Sequence, residues 1–241
     1  MRSETSSLHH FEGRQSLKSR KDAVIVVFAH TPAAENKSLG LTDRAASRVH
    51  ARLLENTLRM AHATGARVVH VHDSPDSEVM QRGTGFEERF LNALKDVAAL
   101  GIKRMVVIGS DSPGLNTAQL QKALAAPQNK VCIGPSVDGG IYLLGLNASD
   151  IHVLKGLPWK KRNLFRVLSS RVTATVLGRL SDVDTWQDLY KIQKWLGGLD
   201  LSASPAFLRL PRPPTLMRLE SSVSTFQLRS RGPPVLGRLA S

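Results

Sequence analysis

The sequence predicts an α/β domain with a largely parallel sheet flanked by helices, and three observations carry that expectation. Short runs of Val, Ile and Leu alternate with longer amphipathic stretches, the order found when strands feed crossover helices. The runs 23–29 and 105–108 are apolar at almost every position, as strands covered on both faces are. The second of them runs into Gly109-Ser110-Asp111-Ser112-Pro113-Gly114-Leu115, a tight turn that holds one carboxylate at the carboxyl end of a strand, where open α/β sheets bind ligands.

Residues 23–29 give the first strand. Residues 44–64 follow after a loop, with apolar side chains at Val49, Leu53, Leu54, Leu58 and Ala61, a helical spacing that stops near Gly65. The second strand is read at 67–71, and a helix at 87–100 is closed by Gly101. The third strand is 105–108, after which a short helix over 116–125 begins at Thr117. Two more apolar runs, 131–134 and 141–146, flank Pro135-Ser136-Val137-Asp138-Gly139-Gly140, which reads as a turn between two strands. Further on, Asp182 and Asp184 lie two apart, so an extended strand would point both to one face, and Thr185 stands where it could cap a helix starting at Trp186.

Asp111 is a ready ligand for Mg²⁺ or Mn²⁺ carrying a nucleotide's phosphates; the alternative is a carboxylate that caps the next helix. Asp138 has the chemistry of a base or an orienter of an acceptor hydroxyl, against a hairpin turn in which Asp-Gly is common. Asp182 and Asp184 are read as completing a metal site with Asp111, at least one as a ligand, against a surface carboxylate and a helix-start residue. Trp159 is read as a wall of the acceptor pocket, against a Trp that simply packs. His62, His70 and His72 have no metal-ligand spacing with a Cys or carboxylate set and are read as structural.

In their order along the chain, the segments from Gly109 to Leu115 and from Gly134 to Leu146, the pair Pro158-Trp159, and Asp182-Val183-Asp184-Thr185 followed by Asp188-Leu189 resemble the radical-SAM/selenodomain-associated transferases. Those are similar to nucleotide-diphospho-sugar transferases of the GT-A fold and, more distantly, to guanylyltransferases. The resemblance covers roughly Asp22 to Trp195. It implies a three-layer αβα sandwich on a mixed, mostly parallel sheet with the site at the strand ends. It also implies metal-assisted transfer from a nucleotide-activated donor to a small-molecule acceptor. Glycosyl transfer from a nucleotide sugar is the leading expectation, with nucleotidyl transfer from a nucleoside triphosphate, or a non-catalytic nucleotide-binding relic, as alternatives. On this footing Asp111, Asp182 and Asp184 hold the metal and Ser110 and Asp111 meet the nucleotide. Gly139 and Gly140 let it approach, and Asp138 is the catalytic residue.

The loop after the first strand departs from that pattern. His30-Thr31-Pro32-Ala33-Ala34-Glu35-Asn36-Lys37-Ser38-Leu39-Gly40-Leu41 stands where relatives carry Lys, Pro, a Gly and a Lys-Thr-Arg-Leu run. Glu35 replaces the Gly, and Ser38 and Gly40 replace the Lys and Arg. Lys37, one position out, is left as the candidate phosphate contact.

The 241 residues, 41% hydrophobic and 5% aromatic, suffice for one aliphatic core with room for tails. The expected layout is a disordered leader over 1–22, one domain over 23–200 and a Pro-, Ser- and Arg-rich tail over 201–241. A single cysteine, Cys132, excludes an internal disulfide framework and suits a reducing compartment, so a cytoplasmic location is expected. No stretch approaches the length of a membrane span. Of the net charge of +13, the leader supplies +2 and the tail +5, leaving +6 for the domain. A modest positive potential suits an enzyme of phosphorylated anions, whereas the lack of interleaved aromatics argues against nucleic acid as the main partner.

Overall fold

The computed structural model describes residues 23–192 apart from 33, 36–38, 40, 184 and 185. Lys37, Ser38, Gly40, Asp184, Thr185 and both expected tails therefore lie outside the described residues.

One seven-stranded sheet organises the rest. Its strands are β1 (Ala23–Phe28), β2 (Arg67–His72), β3 (Val79–Met80), β4 (Arg104–Ile108), β5 (Val131–Pro135), β6 (Ile141–Asn147) and β7 (Ala174–Val176), in the order β3-β2-β1-β4-β6-β5-β7. β1 runs parallel to β2 and β4, β2 to β3, and β5 to β7. β6 alone is reversed, pairing antiparallel with both β4 and β5. The reversal follows from chain length, because the turn between β5 and β6 is too short for the crossover that a parallel neighbour requires.

Helices cover both faces, and the alternation of side chains along β1 shows why. Val24 and Val26 point into a cluster with Phe90, Leu94 and Val97 of α2 (Phe86–Ala99) and with Leu164 and Leu168 of a later helix, Leu164–Arg171. Ala23, Ile25 and Val27 point the other way, against Leu54 and Ala61 of α1 (Asp43–His62) and Leu120 and Leu124 of α3 (Thr117–Leu124). In chain order the remaining helices are a 3₁₀ segment (Ala148–Leu154), α4 (Leu164–Arg171) and α5 (Trp186–Ile192). Each face removes fully buried Leu and Ile side chains from water, worth about 1.5–3 kcal/mol apiece before entropy is counted. The expected three-layer architecture on a mostly parallel, mixed sheet is thus the one observed.

Two local features set up the carboxyl ends of the strands. α3 starts at Thr117 as expected, but Asn116 is its cap: the Asn116 side chain accepts from Gln119 N at 3.0 Å, and the Gln119 side chain accepts from Asn116 N at 3.0 Å. Between β5 and β6 the register shifts at Gly134 and Pro135. A Cβ at Gly134 would stand 2.5 Å from the Tyr142 ring, so only glycine lets β6 close over this irregularity. The shift falls just before Ser136, which is 1% exposed. No helix among the described residues is long and apolar enough to cross a membrane.

Candidate active site at the carboxyl ends of the strands

Asp111 follows β4 by three residues and is half-buried. Its backbone carbonyl accepts a hydrogen bond from Val183 N at 2.8 Å, tying the turn after β4 to a segment more than seventy residues away. Val183 itself is buried in a cluster with Leu39, Leu41, Ala46, Val49, Leu53 and Leu189. One packing unit therefore holds the 182–183 segment against α1 and the far end of the loop that follows β1.

Asp182 is the centre of this arrangement. Ser112 Oγ donates to its Oδ1 at 2.6 Å, and Ser136 Oγ donates to its Oδ2 at 2.6 Å. Both serines are buried, so three separate segments, after β4, after β5 and before α5, meet on one carboxylate. Burial, and next the neighbouring charge of Asp111, push the Asp182 carboxyl up to about 6, with the two serine hydroxyls pulling the other way. The segment reaches this place through an isolated bridge between Ser136 and Leu180 and the bond from Val137 N to Leu180 O at 2.8 Å. Residues 181–183 form no strand, so the argument that an extended chain points residues 182 and 184 to one face does not apply; what aims Asp182 is the pair of serines.

Asp138 sits exposed on the β5–β6 turn, its Oδ1 accepting from Gly140 N at 2.9 Å. Gly139 has φ +92°, and a Cβ there would stand 1.8 Å from the Arg162 carbonyl oxygen. Its own N–H donates to Ser136 O at 3.2 Å and its carbonyl accepts from Phe165 N at 3.0 Å. The structure thus gives Gly139 a requirement of its own: it seats the 158–165 segment beside Asp138. Ser110 is half-buried at the exit of β4, next to Asp111.

At the near end of the loop after β1, Asp73 accepts from Thr31 N at 2.7 Å and lies 3.7 Å from His30 Nδ1. Burial opposes ionisation there, but the Thr31 bonds and His30 hold Asp73 below the usual carboxylate range. Ser112, Ser136 and Asp73 are the residues that sequence reasoning passed over. All three are residue types that ordinary turns use freely, and nothing in their spacing announced a partner forty or more residues away.

The donor set offered to a divalent cation is chemically apt: Asp111 and Asp182 are hard oxygen ligands whose like charges a cation would reconcile. Among the described residues no group of three or more His, Cys, Asp or Glu side chains is placed to hold a metal, and Asp184 lies outside them.

The fold can be set beside solved structures. A candidate nucleotide-diphospho-sugar transferase from Desulfovibrio desulfuricans G20 matches with a TM-score of 0.64 and 21% identity, over 78% of this chain and 93% of that one. The homolog of Mycobacterium tuberculosis Rv0371c from Mycobacterium sp. strain JC1 gives 0.49 and 17%, over 74% and 97%. CMP:2-keto-3-deoxy-manno-octonic acid synthetase complexed with CTP gives 0.45 and 14%, over 72% and 98%. The first establishes a nucleotide-diphospho-sugar transferase-like fold; the other two superpose too loosely to bear on this chain. No curated protein matches in sequence. A family model matches residues 41–161, half of the 241 residues and a span that includes Asp111, Asp138 and the Pro158-Trp159 pair, and by that match the chain belongs to DUF2064, a family of uncharacterized proteins conserved in bacteria.

Proposed function

We propose that this protein is a divalent-metal-dependent transferase that uses a nucleotide-activated donor, with glycosyl transfer from a nucleotide sugar as the reaction. The observation that carries the reading is the convergence of Asp111 and Asp182 at the carboxyl end of β4, where the turns after β4 and β5 meet the segment before α5 and one half-buried carboxylate feels the charge of the other. The ordered motifs shared with the radical-SAM/selenodomain-associated transferases, and the description of the Desulfovibrio protein of like fold, support it.

In this reading Asp111 and Asp182, with Asp184, would hold Mg²⁺ or Mn²⁺. The cation would supply charge stabilisation to the donor's diphosphate as it leaves. Ser112 and Ser136 keep the Asp182 carboxylate aimed, so it need not reorganise when charge develops. Ser110 and the turn around Gly139 and Gly140 border the nucleotide. Asp138, exposed on its turn, takes the proton from the attacking acceptor hydroxyl; the acceptor oxygen bonds to the transferred carbon, and the nucleoside diphosphate departs with the bonding pair. Lys37 is the point charge proposed for the phosphates. A soluble cytoplasmic setting is proposed with it, since a lone, buried Cys132 suits a reducing compartment.

Nucleotidyl transfer is the rival, because the same carboxylates would serve a nucleoside triphosphate. Substitution of the loop residues Glu35, Ser38 and Gly40 favours a third outcome, binding without turnover. One set of measurements separates them. Nucleotide sugars and triphosphates are screened with Mg²⁺ and Mn²⁺ for a rise in melting temperature, and the products are assayed for nucleoside diphosphate against pyrophosphate. The proposal expects metal-dependent stabilisation by a nucleotide sugar, release of nucleoside diphosphate, and loss of both in Asp111→Asn, whose amide is a much poorer ligand for a hard cation. An unchanged metal-dependent response in folded Asp111→Asn refutes the assignment.

A further inference from the structure

A groove of about 750 Å³ opens between the start of α2 and residues 155–161, within the size range of small-molecule sites. Phe86 and Trp159, their rings 5.4 Å apart, form its apolar wall, and both also pack on Phe90. Four lysines, Lys95, Lys155, Lys160 and Lys161, line it together with Glu87 and Glu88.

The charges do not cancel across the groove. Glu87 Oε1 accepts from Gly156 N at 2.6 Å, and Glu88 Oε2 accepts from both Thr84 N and Thr84 Oγ1 at 2.9 Å, so one oxygen of each carboxylate is tied to the rim, and the four ammonium groups outnumber the two carboxylates. Among the described residues none of the four lysines is in an ion pair. Lys160 lies with its ammonium 5.6 Å above the Phe86 ring. Its backbone has φ +61°, one of two non-glycine residues in the left-handed region among the described residues, a conformation that costs free energy. Trp159 Nε1 is shut off from solvent and has no hydrogen-bond acceptor.

The groove is also joined to the proposed site. Three residues beyond Trp159, the Arg162 carbonyl packs on Gly139, and the Phe165 N–H bonds the Gly139 carbonyl, so the strip that carries Trp159, Lys160 and Lys161 ends beside Asp138. At the other wall Phe86 and Phe90 make edge contacts with Phe28, the last residue of β1.

We infer that this groove receives the acceptor, and that the acceptor is a small anion with a flat apolar body: a ring-bearing phosphate or carboxylate. The rings clamp the body, the lysines bind the anionic group, and the strip 158–165 leads the acceptor's hydroxyl to Asp138. This rests on the transferase reading and adds the acceptor's chemical class to it.

Phenyl phosphate is the probe, with phenol and inorganic phosphate as controls for ring and anion alone, and benzoate to tell a carboxylate from a phosphate; binding to the full-length protein is measured by calorimetry. Phenyl phosphate or benzoate should bind on the order of tenfold more tightly than phenol or inorganic phosphate, and on the order of tenfold more weakly to Lys160→Gln/Lys161→Gln and to Trp159→Leu. Both variants should keep the metal-dependent thermal response to the donor nucleotide, which also shows that they fold. Equal binding to the native protein and the double-lysine variant, or no binding of either ring-bearing anion, overturns the inference. Loss of the nucleotide response together with anion binding would place the groove in the donor site and overturn it as well. The transferase reading fails on a different arm: a native protein that binds phenyl phosphate in this groove but shows no metal-dependent nucleotide response.

Discussion

Ser112 and Ser136 show how much a candidate site depends on residues without chemistry of their own. Each hydroxyl donates to one oxygen of Asp182 at 2.6 Å, and together they hold a partly buried carboxylate near a second one, Asp111. In the metal-free protein that placement is a cost, since burial and like charge both penalise the ionised form. Asp182→Asn keeps the shape, and its amide can still accept from one serine and donate to the other. At pH 7 the variant should therefore unfold at higher urea in the absence of metal, by about 1–2 kcal/mol after allowance for partial solvent screening, while losing the metal-dependent nucleotide response. Urea unfolding with chelator and thermal shifts with Mg²⁺ and nucleotide would measure the two effects. A less stable variant would mean that the carboxylate is held by more than these bonds, and the unfavourable placement would have to be abandoned.

At the level of elements, the strands and long helices were legible because periodicity and burial agree in them. α1, which the periodicity predicts over 44–64, runs Asp43–His62; α2, predicted over 87–100, runs Phe86–Ala99; the β5–β6 hairpin follows from two apolar runs around Asp138-Gly139-Gly140. β3, the 3₁₀ segment, α4 and β7 were not legible. Two- and three-residue strands have too few positions to show alternation, and α4 is eight residues long, held by Leu164 and Leu168 against the sheet rather than by local preference. Asp111 and Asp138 could be singled out because each lies beside the turn that positions it, whereas the serine clamp on Asp182 is a product of tertiary closure. β2 carries a feature of the same hidden kind. His70, its ring 4.4 Å from that of His72, is held down to about 4 by burial first and then by His72, with Asp73 and Asp76 pulling the other way, and its Nε2 has no partner. Because its value in the folded chain lies below the ordinary 6.5, the unfolded chain takes up the proton first as pH falls. The stability contributed by neutral His70 is complete above about pH 6.5 and is lost on the way down to about pH 4. Urea titrations at pH 7 and pH 4.5 should show a loss about 1–3 kcal/mol larger in the native protein than in His70→Gln. Parallel losses in the two proteins would mean that His70 is solvated and its neighbours carry the acid sensitivity.

For the whole molecule, the balance of charge and burial divides the chain. The clusters on both faces of the sheet, and the third cluster that includes Val183, are assembled from residues between 23 and 189. The proposed carboxylates and the lysine-lined groove lie in the same span, and residues 23–200 carry a net charge of +6, enough to draw in phosphorylated anions. Residues 1–21 and 202–241 lie outside the described residues and differ in composition: the latter carry Pro211-Arg212-Pro213-Pro214, Arg231-Gly232-Pro233-Pro234 and scattered basic residues, from which little contribution to the core is expected. Deleting both segments should therefore leave the melting temperature within a few degrees of the full chain, and the Mg²⁺-dependent response to nucleotide should survive, with unchanged affinity at high salt. Because the deleted segments are basic, their one expected trace is kinetic: nucleotide association should slow at low ionic strength and converge with the full chain as salt screens the field beyond about 8–10 Å. Differential scanning calorimetry and stopped-flow binding at two salt concentrations test this together. A fall of many degrees would show that one of these segments packs on the domain, and an affinity loss that persists at high salt would show that it reaches the nucleotide itself.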